Sequence, residues 1–194
     1  MKQKEIVTHP IAHIENDYPE KFGVPRQSLL VPSVSRIIME EEYRVPEAFR
    51  GLDGYSHIWL LWQFSQNVRE GWSPTVRPPR LGGNVRKGVF ATRSPFRPNN
   101  IGMSCVKLLS VETDPVFGPV LTVEGADMIN GTPILDIKPY HPKADSHPEA
   151  SAGFTSENAD YRVDVHIADA LLKRIPADKR ETLIATLSED PRPP

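Results

Sequence analysis

The feature that most constrains the fold of this chain is its proline content, because twenty of its 194 residues are prolines. Proline has no backbone N–H and fixes φ, so it breaks the interior of a helix. These prolines interrupt the first two-thirds of the chain every few residues and disfavour long helices there. Between them lie short runs rich in β-branched and aromatic residues and bounded by turn formers, which is the pattern of strands. The sequence therefore predicts a mainly β protein.

Seven runs have this strand pattern: residues 5–14, 35–40, 55–64, 86–92, 103–112, 120–126 and 133–137. The third is the most hydrophobic, and we expect it to form a central strand buried on both faces. Seven short strands without alternating long helices indicate an antiparallel barrel or sandwich. Longer helical spacing occurs near the C-terminus, where we expect helices over residues 163–175 and 177–187, separated at Pro176.

The segment from Arg77 to Asn100 concentrates positive charge around glycines and prolines. Residues 68–107 contain eight Lys or Arg and one acid, a net charge of +7, whereas the whole chain carries −2. Such clustering favours an anionic partner such as phosphate or nucleic acid. A solvated arginine-rich loop is the alternative, although prolines stiffen the segment and Gly82-Gly83 allows a close backbone approach.

Several familiar chemistries lack their motifs in this chain. No G-x-G-x-x-G follows a predicted strand, and neither a phosphate-binding G-x-x-x-x-G-K-[ST] nor a G-x-S-x-G elbow occurs. The histidines do not combine with the single cysteine at zinc-ligand spacing, so no metal is expected. Cys105 cannot form an internal disulfide, which fits a cytoplasmic location, and we expect it to be a buried core residue.

Four polar clusters follow or precede predicted strands and are candidates for a site, since functional residues concentrate on loops held by a rigid scaffold. They are residues 25–27, 65–67, 92–100 and 127–140. Turn formation alone accounts for Asn99-Asn100 and Asn130-Gly131. It explains less well why Arg26, Gln66 and Arg93 stand on separate loops.

The motif over residues 76–104, V-R-P-P-R-L-G-G-N-V-R-K-G-V-F-A-T-R-S-P-F-R-P-N-N-I-G-M-S, resembles the signature of the TsaA/VirR-like (TrmO-type) family. The resemblance extends to K-F-G-V-P-R-Q at residues 21–27, G-L-D-G-Y-S-H-I-W-L-L at 51–61 and D-M-I-N-G-T-P-I-L-D-I-K-P-Y at 127–140. Characterised bacterial members are S-adenosylmethionine-dependent tRNA methyltransferases. The resemblance implies a small antiparallel β-barrel of about seven strands with C-terminal helices. Residues 1–142 would form the cofactor-binding barrel domain, and residues 143–194 a polar arm and helical segment.

The resemblance also implies which positions hold the cofactor, S-adenosyl-L-methionine. These positions are Pro25, Arg26, Gln27, Ser65, Gln66, Arg93, Met103, Ala126, Asp127, Met128 and Ile129. Ser65 stands where many members have histidine, and Asn100 replaces a proline common in the family motif.

The reaction implied by the resemblance is methylation of N6 of a threonylcarbamoyl-adenosine at position 37, beside the anticodon of a threonine tRNA. An exocyclic amine conjugated to a purine is a poor nucleophile, so the site must align it and accept its proton. Asp127, Asp136 and Tyr140 are the candidates for these catalytic roles. The candidates for contact with the anticodon loop of the tRNA are Arg77, Arg80, Arg86, Lys87, Arg97 and Lys138. A homodimer is also expected from the resemblance.

Two other functions stay open at the level of sequence. One is a noncatalytic β-barrel module that binds RNA or a nucleotide through the basic segment. The other is a methyltransferase of the same fold with a different substrate, because substrate choice depends on a few loop contacts.

Overall fold

The computed structural model describes residues 6–66, 71–78, 84–158 and 161–191 of the chain. Six antiparallel strands form a closed barrel in the order β1-β2-β7-β6-β3-β8. These barrel strands are β1 Ala12–Glu15, β2 Val34–Met39, β3 His57–Gln63, β6 Ile101–Asp114, β7 Gly118–Glu124 and β8 Pro133–Pro139. Two further strands, β4 Thr75–Val76 and β5 Lys87–Gly88, pair with each other outside the barrel. The prediction of a mainly β protein built on a small antiparallel barrel is confirmed.

The hydrophobic core fills the barrel because side chains alternate between its two faces along each strand. In β3, Ile58, Leu60 and Trp62 are buried, whereas the residues between them are only partly buried. The prediction that this strand is buried on both faces is therefore wrong. In a closed barrel only the inner face is covered on every side, and the outer face of β3 presents Trp59 and Leu61.

Cys105 also differs from its prediction as a core residue. The register of β6 places it opposite Trp59 on the outer face of the barrel, where it is half-buried. Burial raises the pKa of its thiol, and the nearby charge of Asp145 adds to this effect. Its apolar neighbours in sequence, Val106 and Leu108, point inward instead.

Two predicted strands are much shorter than expected. The first runs only over Ala12–Glu15, directly after Pro10 and Ile11. Of residues 86–92, only Lys87–Gly88 is a strand, and within the described residues it pairs with the two-residue strand β4. The chain then continues as a 3-10 helix over Val89–Ala91.

The helices of the described residues are short. Three 3-10 helices, Glu41–Tyr43, Pro46–Phe49 and Leu52–Gly54, connect β2 to β3. The α-helices are α1 Pro142–Asp145, α2 Asp169–Leu172 and α3 Arg180–Ser188, and α3 follows a 3-10 turn over Ala177–Lys179. The helix predicted over residues 163–175 is therefore mostly wrong. Val163 lies beside α3 instead, and its N–H donates to the Ser188 carbonyl.

The C-terminal segment packs on the long loop between β1 and β2. Thr182 Oγ1 donates to the Pro32 carbonyl at 3.2 Å, and a Cβ on Gly23 would touch Thr186. Within the described residues, no helix has both the length and the apolar character needed to cross a membrane.

Candidate cofactor cavity and basic groove

A cavity of about 840 Å³ opens at one end of the barrel. Six segments line it: the loop before β2, the end of β3, the segment before β6, the start of β6, the segment after β7 and Pro191 near the C-terminus. They meet there because β3 and β6 are antiparallel neighbours, with Gln63 opposite Ile101, and β7 runs back beside β6. The volume lies within the range typical of small-molecule sites.

Ten of the eleven residues predicted to contact the cofactor line this cavity. They are Pro25, Arg26, Gln27, Ser65, Gln66, Arg93, Met103, Asp127, Met128 and Ile129. The eleventh, Ala126, is fully buried in the core next to them. Residues up to a hundred positions apart in sequence are thus brought to one surface.

A chain of hydrogen bonds fixes the cationic wall of the cavity. Arg93 Nη1 donates to Gln27 Oε1 at 2.7 Å, and Gln27 Nε2 donates to the Arg26 carbonyl at 2.7 Å. Arg26 Nη2 in turn donates to the carbonyl of Asp190 at 3.0 Å. The loop before β2, the segment before β6 and the C-terminal segment therefore hold one another in place, with two guanidinium groups at the cavity.

On another wall, the Asp127 carboxylate is held by a relay of donors. Trp62 Nε1 donates to Ser104 Oγ at 2.9 Å, and Ser104 Oγ donates to Asp127 Oδ1 at 2.5 Å. Burial raises the pKa of Asp127 above the ordinary carboxyl value, while the Ser104 hydrogen bond and the charge of Arg93 oppose this effect. The result is a fixed carboxyl group with an elevated affinity for a proton.

Gly102 makes this relay possible. A Cβ at Gly102 would lie 2.2 Å from Cε2 of Trp62, so the indole ring packs directly on the glycine backbone. Neither Gly102, Trp62 nor Ser104 was among the predicted site residues. An isolated glycine within a strand pattern is a known sign that another group packs closely on the backbone. Gly102 was therefore the signal in the sequence that could have identified these residues.

Two of the predicted catalytic residues, Asp136 and Tyr140, do not line the cavity. Asp136 lies on the outer face of β8 opposite Leu61, and Lys138 pairs with it at 2.9 Å. Leu61 is in turn opposite Met103, so Asp136 lies two strand spacings, or about 10 Å, from that cavity residue. The Tyr140 N–H donates to the His57 carbonyl at the start of β3, about 23 Å along the strand from Phe64 at the cavity.

A larger groove of about 1370 Å³ adjoins the cavity. The two share five lining residues, Arg26, Gln27, Thr92, Arg93 and Pro95. Of the residues predicted to bind tRNA, Arg77 and Arg86 line the groove.

The other predicted tRNA contacts have different positions. Arg97 lines the cavity, where its Nη1 donates to the Thr92 carbonyl. Lys87 lies with its ammonium 5.4 Å from the ring centroid of Phe154, and Lys138 is on β8. Arg80 falls outside the described residues. The described part of the chain contains no group of three or more His, Cys, Asp or Glu placed to hold a metal ion.

Comparison with known proteins identifies the family of the chain. The family model for the tRNA-methyltransferase O N-terminal domain matches residues 13–146. The chain is 44% identical to the tRNA (adenine(37)-N6)-methyltransferase of Escherichia coli, over 94% of this chain and 80% of that protein. It is 39% identical to a Pseudomonas aeruginosa protein named for S-adenosylmethionine-dependent methyl transfer, over 85% of this chain and 67% of the relative.

A solved structure described as a crystal structure of TrmO superimposes with a TM-score of 0.76 at 33% identity. The superposition covers 98% of this chain and 86% of the solved chain. It therefore includes both the barrel and the C-terminal segment that packs on it.

Proposed function

The chain belongs to the tRNA-methyltransferase O N-terminal domain family, and we propose that it transfers a methyl group from S-adenosylmethionine to N6 of adenosine-37 in a tRNA. The single observation that carries this proposal is the cavity, where ten residues predicted for the cofactor converge beside a basic groove. In finer detail, we propose threonylcarbamoyl-adenosine in threonine tRNA as the substrate. A cytoplasmic location follows from such a substrate.

The residues of the cavity fit S-adenosylmethionine. Apolar side chains such as Phe64, Met128 and Ile129 suit an adenine ring, and the guanidinium groups of Arg26 and Arg93 suit a carboxylate. The Asp127 carboxyl suits an ammonium or ribose hydroxyl group. When bound, the cofactor supplies a methyl group on a positively charged sulfur, open to attack by a nucleophile.

The protein's own contribution is binding, orientation and acceptance of a proton. Asp127 is also a candidate to receive the proton released from N6, because a carboxyl with a raised pKa is a stronger base than an ordinary one. The anticodon-loop base is already unpaired, so its presentation requires no opening of a duplex. Arg77 and Arg86 would meet the tRNA phosphates in the groove.

Calorimetric titration with S-adenosylmethionine, followed by mass spectrometry of the treated tRNA, tests the proposal. We expect one site per chain, loss of binding in Arg93→Ala and Gln27→Ala with the fold retained, and a 14 Da gain on adenosine-37 only when the threonylcarbamoyl group is present. Arg77→Ala is the matched control, because it should keep cofactor affinity while it weakens tRNA binding. A folded chain that binds tRNA but no cofactor would support the noncatalytic module instead.

We propose further that the chain acts as a homodimer through the outer faces of β6, β3 and β8. This face presents apolar side chains, since Ile101 and Met103 are exposed and lie beside Leu61, with Trp59 further along the same face of β3. It is continuous with the cavity through Ile101 and Met103. A second copy seated there would bring its own Asp136 and Tyr140 towards the cavity, where a single chain does not place them.

Mixing two inactive variants tests this arrangement. Asp127→Asn disables the cavity of its own chain, and Tyr140→Phe disables the group that is offered to the other chain. If sites are completed by the second copy, mixed dimers contain one intact site, and random mixing restores about a quarter of wild-type activity. If each site lies within one chain, mixing restores nothing and the shared site is refuted.

A further inference from the structure

Two aromatic rings stand exposed on the wall of the groove, outside the cofactor cavity. Trp72 is 52% exposed and Phe90 is 71% exposed. Their ring centroids are 6.2 Å apart and their planes differ by only 25°, so the two rings are nearly parallel and stack on each other. Large side chains are rarely left exposed together on a soluble domain without a partner.

Hydrogen bonds of the neighbouring residues fix the backbone next to both aromatic rings. The Ser73 N–H donates to the Phe96 carbonyl at 3.3 Å, and Ser73 Oγ donates to the Thr75 carbonyl at 2.6 Å. The N–H of Val89, a fully buried residue next to Phe90, donates to the Pro74 carbonyl at 3.0 Å. The backbone that carries the two stacked rings is therefore held in place before any ligand arrives, which lowers the entropic cost of binding.

The charge around the rings selects for an anion. Arg77 and Arg86 line the same groove, and none of its described lining residues is acidic. Arg86 is oriented by its own hydrogen bond, as its Nη1 donates to Thr75 Oγ1 at 3.3 Å. Aromatic faces interleaved with fixed cations are the combination that binds single-stranded nucleic acid, because bases stack on the rings while phosphates meet the cations.

The position of the rings relative to the cavity identifies which nucleotide would stack there. The groove reaches the cofactor cavity through Thr92 and Arg93, so a base stacked on the rings is a near neighbour of any nucleotide in the cavity. We propose that the Trp72–Phe90 pair is a stacking platform for an unpaired base that flanks the target adenosine. This inference rests on the proposed function, since it takes the target to be an adenosine in an unpaired loop.

The test uses an anticodon stem-loop RNA with 2-aminopurine at each nucleotide flanking the target, because stacking on an aromatic ring quenches its fluorescence. We expect quenching at one flanking position with the wild-type protein and its loss in Trp72→Leu and Phe90→Leu. The KM for RNA should rise about 5- to 150-fold in these variants, which is the range that stacking energies of about 1–3 kcal/mol per base give. Trp72→Phe should restore much of the affinity because it keeps a ring.

Controls separate this platform from charge and from general surface effects. Tyr55 is an exposed aromatic residue just before the start of β3, whereas the cavity lies at the end of that strand. Tyr55→Leu should therefore change neither quenching nor KM. Arg77→Ala should reduce the salt dependence of RNA binding, whereas Trp72→Leu should leave the slope unchanged. Cofactor affinity measured by calorimetry should be the same in all of these variants.

The outcomes also distinguish the inference from the proposed function. A wild-type protein that binds cofactor but methylates no adenosine would refute the function itself. A wild-type protein that methylates the stem-loop, while Trp72→Leu retains its KM and no flanking base is quenched, would overturn the stacking platform alone.

Discussion

Replacing Gly102 with alanine should damage the cofactor cavity although it adds only one methyl group. The added Cβ would lie 2.2, 2.5 and 2.6 Å from three atoms of the Trp62 ring system. Ordinary carbon contacts are about 3.5–4.0 Å, so the indole must move by about 1 Å or more. Trp62 is buried against Phe64, with ring centroids 4.3 Å apart, which limits where it can go.

The cost combines two effects. Overpacking of a well-packed core typically costs about 1–3 kcal/mol. Displacing the indole also stretches the hydrogen bond from Trp62 Nε1 to Ser104 Oγ, which contributes about 1 kcal/mol. We therefore expect the free energy of unfolding to fall by about 2–4 kcal/mol. For a chain of this size, that corresponds to a fall in Tm of about 4–16 °C.

The affinity for the cofactor should fall by more than the loss of stability alone would cause. Ser104 both accepts the indole hydrogen bond and donates to Asp127, so a moved indole removes the donor that orients the Ser104 hydroxyl towards the carboxylate. Chemical denaturation gives the stability, and calorimetry with S-adenosylmethionine at a temperature where the variant is folded gives the affinity. Gly54→Ala is the matched control, since its added Cβ would meet no atom within 4 Å.

A single result would refute this reasoning. If Gly102→Ala unfolds at the same denaturant concentration as Gly54→Ala and binds the cofactor with wild-type affinity, the indole is free to move and the relay does not position Asp127.

Three further outcomes are expected. Asp127→Asn should gain stability relative to the wild type as pH rises from 4 to 7 in denaturation experiments. The reason is that burial raises the pKa of Asp127 in the native state above its pKa of about 3.9 in the unfolded chain. The stability that protonated Asp127 contributes to the wild type is therefore fully present below pH about 3.9 and is lost as pH rises through the native pKa. Arg77→Ala should lower the slope of log tRNA affinity against log salt by about one unit in filter binding, because it removes one phosphate contact. Gly125→Ala should lose about 2–4 kcal/mol of unfolding free energy, because φ is +87° and the added Cβ would lie 2.7 Å from Leu29 Cδ2; a smaller loss than Gly54→Ala would contradict this.

The barrel and the loops that line the cavity could be predicted because their signals are local. Prolines exclude long helices wherever they occur, and alternating apolar residues mark strands such as Ile101–Asp114 without knowledge of their neighbours. Segments such as 25–27 and 127–129 stood out through polar residues at strand ends and through family motifs. These features do not depend on which strand pairs with which.

The parts that sequence did not reveal depend on register. A relay of hydrogen bonds joins Trp62, Ser104 and Asp127 only because β6 lies between β3 and β7 in the barrel. No local pattern in the sequence encodes that strand order. Register also places Asp136 on the outer face of the barrel beside Leu61, so it does not reach the cavity of its own chain. A one-residue shift would exchange the faces, so the motif D-I-K-P-Y alone cannot locate its side chains.

The C-terminal segment adds to the site although the barrel is complete without it. The last barrel strand ends at Pro139, yet Pro191 lines the cavity. The Asp190 carbonyl accepts a hydrogen bond from the Arg26 guanidinium. Arg26 lies on the exposed loop before β2, and an exposed arginine without such an acceptor would sample many rotamers. The segment that ends the described chain thus limits the motion of a cationic group at the cavity. The boundary at residue 142 stays a prediction, and residues on both sides of it line the cavity.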